Sequence, residues 1–343
     1  MSTVFQRDLR AIIGVHEAGA GALIGALWRQ EPLPRSSPMI FAGPGAAIAM
    51  RELSLKCREG PFNPEQIFTD LDEFDPKIVV TGASLGDSVE RLLLSYARRR
   101  GIHTVSVVDG YVNLWQRFCG KQRSDSWAWL PDKVVVVNQE VRRRLLSHGC
   151  PPERVHSLSR HPLPSSEIVD LSVKGRRNSI REELGLPQGC RFITLIHETG
   201  LAGHATWGWD NPLEVVREHI KVLVETLVQE VLRERAAGEN LFLVVKEHPT
   251  DRCPDFCEST IDARGDAVRL VHKIDRHALV GESTAVFGVG SMLLHEAAQL
   301  CSYCVSLKLT PQGRYPFPEY TAGLRVATSA ESLRIALREG LVL

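Results

Sequence analysis

Two turns in the C-terminal third carry the residue types that hold phosphate. Leu-Phe-Leu-Val-Val-Lys-Glu-His-Pro-Thr, residues 241–250, runs an apolar strand into Lys246, His248 and Pro249, so a cation and an imidazole stand at the strand's carboxyl end. Pro249 stiffens that turn, because a proline restricts its own backbone and that of the residue before it. Ala-Val-Phe-Gly-Val-Gly-Ser-Met-Leu-Leu-His-Glu-Ala-Ala, residues 285–298, runs a second strand through Gly288, Gly290 and Ser291 into a helix. A helix N-terminus presents unpaired N–H groups and the positive end of a dipole, and glycines let an anion approach them. Ser291 caps that helix or gives its hydroxyl to the phosphate. Glu296 stands among Ala297, Ala298 and Leu300. It reads either as a grip on the hydroxyls of a ribose or sugar, or as a solvent-facing helical glutamate.

The N-terminal third carries the residues suited to moving protons. His16 and Glu17 follow an apolar strand, Arg10–Val15, and Asp109 follows another, His103–Val108. An imidazole beside a carboxylate is tunable toward neutrality, as a general base at neutral pH requires. The plainer role of His16 is to cap the helix that follows. Asp109 is the competing base; Tyr111, Trp115 and Phe118 behind it form either an aromatic ligand platform or the packing of a loop. Thr81-Gly82-Ala83-Ser84, with Asp87 opening the next helix, is a further strand-end turn bearing hydroxyls.

Other chemistries fit less well. Gly19-x-Gly21-x-x-x-Gly25 has the wrong last spacing for a dinucleotide fingerprint, and no Gly-Lys-Ser/Thr P-loop is present, which argues against NAD binding and P-loop ATP hydrolysis. His197 and His204 lack ligand spacing, so no metal is expected there. Cys253, Cys257, Cys301 and Cys304 read either as four thiolates for a structural zinc or, in the plainer reading, as a loop and short helix at Cys253 and Cys257 with Cys301 and Cys304 as small buried hydrophobes opening a strand.

These residues need strands to hold them, and the pattern supplies strands. Lys77–Thr81, His103–Asp109 and Lys133–Val137 are rich in β-branched residues, with a helix over Asp87–Arg100 between the first two. A second series begins at Phe192–His197 and continues through a helix over 212–236, the strands Leu241–Lys246, Ala267–Leu270 and Ala285–Phe287, a helix over Met292–Leu300 and the strand Cys304–Leu309, with Ser329–Glu339 as a closing helix. Strands separated by helices of about ten or more residues imply parallel sheets. The fold class predicted is α/β, with two Rossmann-like parallel-sheet domains facing one another across a cleft. Pro162 and Pro164 break regular structure between them. The domains predicted are 1–163 and 189–343, joined by a linker over 164–188.

Bulk properties narrow the function classes. The 343 residues include 41 basic and 41 acidic side chains, so the chain lacks the basic excess of a nucleic-acid binder. The longest apolar stretch, 11–28, is interrupted by His16 and Glu17, which argues against a membrane span and a signal peptide. Eight cysteines without the dense spacing of a secreted scaffold point to reduced thiols and a cytoplasmic protein.

The His-Pro strand end, the Gly-x-Gly-Ser turn leading to Glu-Ala-Ala some forty residues later, and the two-unit layout together resemble the GT-B glycosyltransferases. Within that architecture the chain is similar to the bacterial surface-polysaccharide and sialyltransferase-like groups and to the UDP-N-acetylglucosamine 2-epimerases. The resemblance implies that His248, Gly290 and Ser291 contact the phosphates of a nucleotide-sugar donor and that Glu296 approaches its ribose. It also places Thr199 and Gly200 on the donor side. Met292 stands where the related groups have a second serine, and the epimerases' paired glycines after a serine are absent. The function expected is therefore metal-independent transfer of a sugar to a carbohydrate or small-molecule acceptor, with no cofactor beyond the nucleotide sugar and with His16, Glu17 and Asp109 supplying acid–base chemistry. The alternatives are a nucleotide-sugar 2-epimerase or hydrolase, and a non-catalytic nucleotide-sugar or polysaccharide-binding protein.

Overall fold

A computed structural model describes residues 10–30, 37–86, 88–110, 114–119, 127–158, 180–197, 213–247, 265–288, 291–298, 300–301, 303–307 and 324–342. The chain divides into two compact units, Met1–Pro164 and Ser165–Leu343. Ile180, Leu184 and Leu186, which the sequence places in a linker, are buried in a core of the second unit. Ile180 opens a single helical turn, Leu184 and Leu186 follow it, and the second unit therefore takes in residues read as linker.

The first unit is a seven-stranded sheet in the order β3-β2-β1-β4-β5-β6-β7, parallel at every pairing. Its strands are β1 (Ala11–Val15), β2 (Met39–Ala42), β3 (Arg58–Glu59), β4 (Ile78–Thr81), β5 (His103–Val108), β6 (Lys133–Val136) and β7 (Val155–Ser157). β1 and β4 are buried at every residue, as strands covered on both faces must be. The helices are α1 (Ala18–Gln30), α2 (Pro44–Glu52), α3 (Pro64–Phe74), α4 (Val89–Arg100) and α5 (Gln139–Ser147). One core joins Ile12, Phe41 and Val79 of the sheet to Ile67 and Leu71 of α3 and to Val89, Leu93, Tyr96 and Ala97 of α4. α4 stops at Gly101, whose left-handed backbone (φ 63°) closes the helix with N–H bonds to Ala97 and Arg98.

The second unit has six parallel strands in the order β10-β9-β8-β11-β12-β13. These are β8 (Arg191–Ile196), β9 (Leu241–Lys246), β10 (Val268–Val271), β11 (Ala285–Gly288), β12 (Cys304–Leu307) and β13 (Arg325–Ala327). α6 (Leu213–Ala236) and α9 (Ala330–Val342) cover one face, burying Val224, Leu227, Val228, Leu333 and Leu337 against Ile193, Leu195, Leu243 and Val245. Phe192, Phe242 and Val244 point the other way, toward Ala278 and Leu279 of α7 (Arg276–Glu282). This alternation is the period of two expected of a strand. α9 runs three residues past the predicted Glu339, and Glu230 of α6, nearly wholly buried, is tied to it: Arg334 donates to the Glu230 carboxylate at 2.9 Å.

Several short elements were not anticipated. β3, β7 and β13 have two or three residues each, too few for a hydrophobic period to register. The helix after β11, α8, spans Met292–Ala297 and ends short of the predicted Leu300. Among the described residues, no helix is long and apolar enough to cross a membrane.

Strand order decides where ligands have room. In the first sheet the order reverses between β1 and β4, and in the second between β8 and β11. At such a switch point the connections from two neighbouring strands leave in opposite directions and open a crevice beyond their carboxyl ends. His16 and Gly82 follow the first pair, and His197 follows β8 of the second.

Candidate active site

At the switch point of the first unit, polar side chains from four segments converge. β1 delivers His16 and Glu17, β4 delivers Gly82 to Ser84, and β5 delivers Asp109. A single 3-10 turn, Gln116–Phe118, delivers Arg117. Asp109 and Arg117 are both buried, and the guanidinium Nη1 lies 3.3 Å from Asp109 Oδ1. The same nitrogen donates to the Ala83 carbonyl at 2.6 Å and lies 3.7 Å from Glu17 Oε2. Asp109 also rests on the first turn of α1: a Cβ added to Gly19 would lie 2.2 Å from Asp109 Oδ2. The helix's positive end and Arg117 therefore both neutralise the Asp109 carboxylate.

Glu17 has the opposite environment. Burial among protein atoms raises its pKa from 4.5 to about 7, against the pull of Arg117, with Asp109 and Glu90 adding to the rise. The side chain nonetheless keeps 44% of its surface accessible, so water reaches it and screens part of this effect. The result is two carboxyls at one arginine, one neutralised by a cation and one that carries a proton near neutrality.

A third carboxylate, Glu90 of α4, completes the cluster. Its Oε1 accepts from the His16 backbone N–H at 2.9 Å and from the Ser84 hydroxyl at 2.8 Å. Ser84 is thus a partner of Glu90 and not a cap of α4, whose N-cap is Ser88. The His16 ring is exposed. Phe118 is wholly buried, 6.3 Å from the Trp127 ring, so it packs the loop and forms no platform. Trp115 stands 6.1 Å from the His148 ring, while Tyr111 and Asp87 lie outside the described residues.

The structure brings His16, Glu17 and Asp109, which the sequence singles out, together with Arg117 and Glu90, which it does not. A signal for Glu90 exists: it lies on the stripe with Leu94 and Ala97, spaced by four and seven, where an acid is out of place. No comparable signal marks Arg117.

In the second unit, the predicted donor residues have other partners. Lys246 is buried and donates to the backbone carbonyls of Glu247 at 2.6 Å and His272 at 3.0 Å, tying the carboxyl ends of β9 and β10 together. Ser291 caps α8, accepting from the Leu293 N–H at 3.2 Å. That helix has six residues, so its dipole is weaker than the longer predicted helix would supply. A Cβ on Gly288 would make only ordinary contacts, the nearest 3.4 Å from Ile196, so the glycine there opens no special approach. Glu296, also buried, bridges α7 and α8: its Oε2 lies 3.0 Å from His277 Nε2 and 3.8 Å from Arg276. His248, Pro249, Gly290, Thr199 and Gly200 lie outside the described residues.

Cys301 and Cys304 are buried, and Cys301 Sγ donates to the Ser283 carbonyl at 3.3 Å. A hydrogen bond between the two thiols draws the Cys301 pKa down to about 7 and pushes that of Cys304 up. Cys253 and Cys257, the other half of the zinc alternative, lie outside the described residues.

No protein family matches the sequence, and no curated protein is similar to it. Solved structures are similar over nearly the full length. The UDP-GlcNAc 2-epimerase of Neisseria meningitidis, bound to UDP-GlcNAc, superimposes with a TM-score of 0.62 at 10% identity, covering 97% of this chain and 92% of that one. The UDP-GlcNAc 2-epimerase of Methanocaldococcus jannaschii gives 0.61 at 12% identity, covering 96% and 92%. A glycosyltransferase of Rickettsia africae gives 0.58 at 12% identity, covering 97% and 88%. At such identities the likeness is one of fold: two parallel-sheet α/β domains of the GT-B-like kind, as the resemblance in the sequence implied.

Proposed function

We propose that this chain is an enzyme acting on a nucleotide-linked sugar by acid–base chemistry of the epimerase or hydrolase kind, with Glu17 as the proton-transferring group and Asp109 as its charged partner. The observation that carries this reading is the cluster itself, with Arg117 Nη1 3.3 Å from Asp109 and 3.7 Å from Glu17, and burial there raises the Glu17 pKa to about 7. A carboxyl half-protonated at neutral pH both takes and gives a proton there. Epimerisation at the carbon next to the anomeric centre needs both steps, whereas transfer to an acceptor hydroxyl needs only a base. The sequence alone ranks transfer first. The proton-holding carboxyl, together with a fold shared with two UDP-GlcNAc 2-epimerases, favours the alternative.

The exposed His16 ring serves in this reading as a ligand contact, since its neighbour Glu17 has the tuned proton. In the second unit, Ser291, Gly290 and His248 are proposed phosphate contacts, with Thr199 and Gly200 beside them. Glu296 is proposed at the ribose, its carboxylate oriented by His277. Lys246 ties the end of β9 to the backbone just past β10, and Pro249 is proposed on the donor side with His248.

The test is incubation with UDP-GlcNAc in deuterated water without acceptor, followed by proton NMR. Deuterium entering position 2 of the sugar, or release of UDP, is expected, and Glu17→Gln should abolish either. Turnover that appears only on adding an acceptor would return the assignment to transfer. Binding without turnover would indicate a non-catalytic protein.

A further inference from the structure

We propose that Glu90 is a positioning residue for this chemistry: its carboxylate anchors the His16–Glu17 turn and its charge bears on Glu17 from within the same buried cluster. Glu90 is 2% exposed, on the face of α4 that otherwise buries Val89, Leu93, Leu94 and Ala97. An ionisable group there loses its hydration, a cost that an apolar residue of similar size would avoid. The fold accommodates it specifically. A Cβ at Gly82 would lie 2.6 Å from Glu90 Oε1, so the bare backbone of the β4 turn makes the space.

The two oxygens are used unequally. Oε1 accepts from the His16 N–H and the Ser84 hydroxyl, while Oε2 is buried without a hydrogen-bond partner among the described residues. One oxygen accounts for the anchoring of the turn. The second has no anchoring task, and a carboxylate in so dry a setting is poorly screened from its neighbours.

The groups facing Glu17 come from every segment around it: Asp109 after β5, Arg117 on the 3-10 turn, Glu90 on α4 and His16 beside it in sequence. Burial raises the Glu17 pKa most, Arg117 lowers it, and Asp109 and then Glu90 add to the rise. Removing Glu90's charge therefore tilts the balance toward ionised Glu17.

This role rests on Glu17 as the acid–base group, but its test reads that carboxyl directly, so failure of the sugar reaction and failure of this role are separable. Carboxyl-carbon NMR of the full chain carrying labelled glutamate follows the titration, with the Glu17 signal identified by its loss in Glu17→Gln. Glu90→Gln keeps an acceptor for His16 and Ser84 while removing the charge. The Glu17 midpoint is expected to fall by roughly half a pH unit or more, the scale of one nearby charge in a partly screened site. Ser84→Ala, which removes a hydrogen bond and no charge, is expected to move it less. A folded Glu90→Gln protein with an unchanged midpoint overturns the proposal, as does an equal shift in Ser84→Ala. If Glu90→Gln does not fold, Gly82→Ala displaces the same carboxylate, and an unchanged Glu17 midpoint in that variant has the same force.

Discussion

Replacing Glu17 by glutamine should change how stability depends on pH. The Glu17 pKa is about 7 in the folded chain against an ordinary 4.5, a difference of 2.5 from those two values. Below the ordinary value both folded and unfolded chains hold the proton, and the group contributes nothing. As pH rises from 4.5 to 7 the unfolded chain loses the proton while the folded chain keeps it, so stability falls and reaches its full deficit above 7. At about 1.36 kcal/mol per pH unit the unscreened ceiling is about 3 kcal/mol. With 44% of the side chain accessible, solvent screening reduces this to on the order of 1 kcal/mol. Glu17→Gln should therefore gain about 1 kcal/mol over wild type at pH 8, roughly 2–4 °C in the melting of a unit this size, and nothing at pH 4. Thermal melts of both proteins across that range measure the difference directly, because other titrating groups cancel in the comparison. Parallel curves from pH 4 to pH 8 would refute the raised proton affinity and the acid–base role built on it.

Three further outcomes follow from the same contacts. Gly19→Ala places a Cβ 2.2 Å from Asp109 Oδ2 and forces that carboxylate to move by about 1 Å; a loss on the order of a hundredfold in turnover is expected, with folding checked by circular dichroism. Arg117→Met strands the buried Asp109 without its cation and should cost about 3–5 kcal/mol in denaturant unfolding, and combining it with Asp109→Asn should recover part of the loss. In the second unit, Glu230 is held by both Arg233 at 2.7 Å and Arg334 at 2.9 Å. Arg334→Ala alone should cost about 1 kcal/mol because Arg233 still pairs the buried carboxylate, whereas the double variant should lose several times more.

Much of the architecture is legible in local sequence. Ile78-Val79-Val80 and Leu241–Val245 are buried on both faces, so their apolar runs are continuous and stand out against the amphipathic helices between them, while Val134 and Val136 are buried with Val135 between them partly exposed. Parallel pairing follows from the helical crossovers, and the residues just past each strand's carboxyl end are identifiable once the strands are placed. His16, Glu17 and Asp109 were found in this way. The absent serine–glycine pattern of one turn weighs against the epimerase-like alternative in the sequence, but a turn's spelling changes more readily than the sheet beneath it.

What the tertiary structure alone decided is which charges meet. Arg117 lies in Trp-Gln-Arg-Phe-Cys, which locally resembles any surface turn, and it becomes a site residue only because β4 and β5 are neighbours and bring Ala83 and Asp109 to it. Lys246 reads in the sequence as a cation at a strand end, and the pairing of β9 with β10 adds the His272 carbonyl to the Glu247 carbonyl at its ammonium. Glu17 shows the division most clearly. Its sequence position marks it as a turn acid, but its proton affinity comes from burial and from charges dozens of residues away. Strand and helix patterns are set by neighbours along the chain, whereas a carboxyl's charge state is set by neighbours in space, and only folding brings those together.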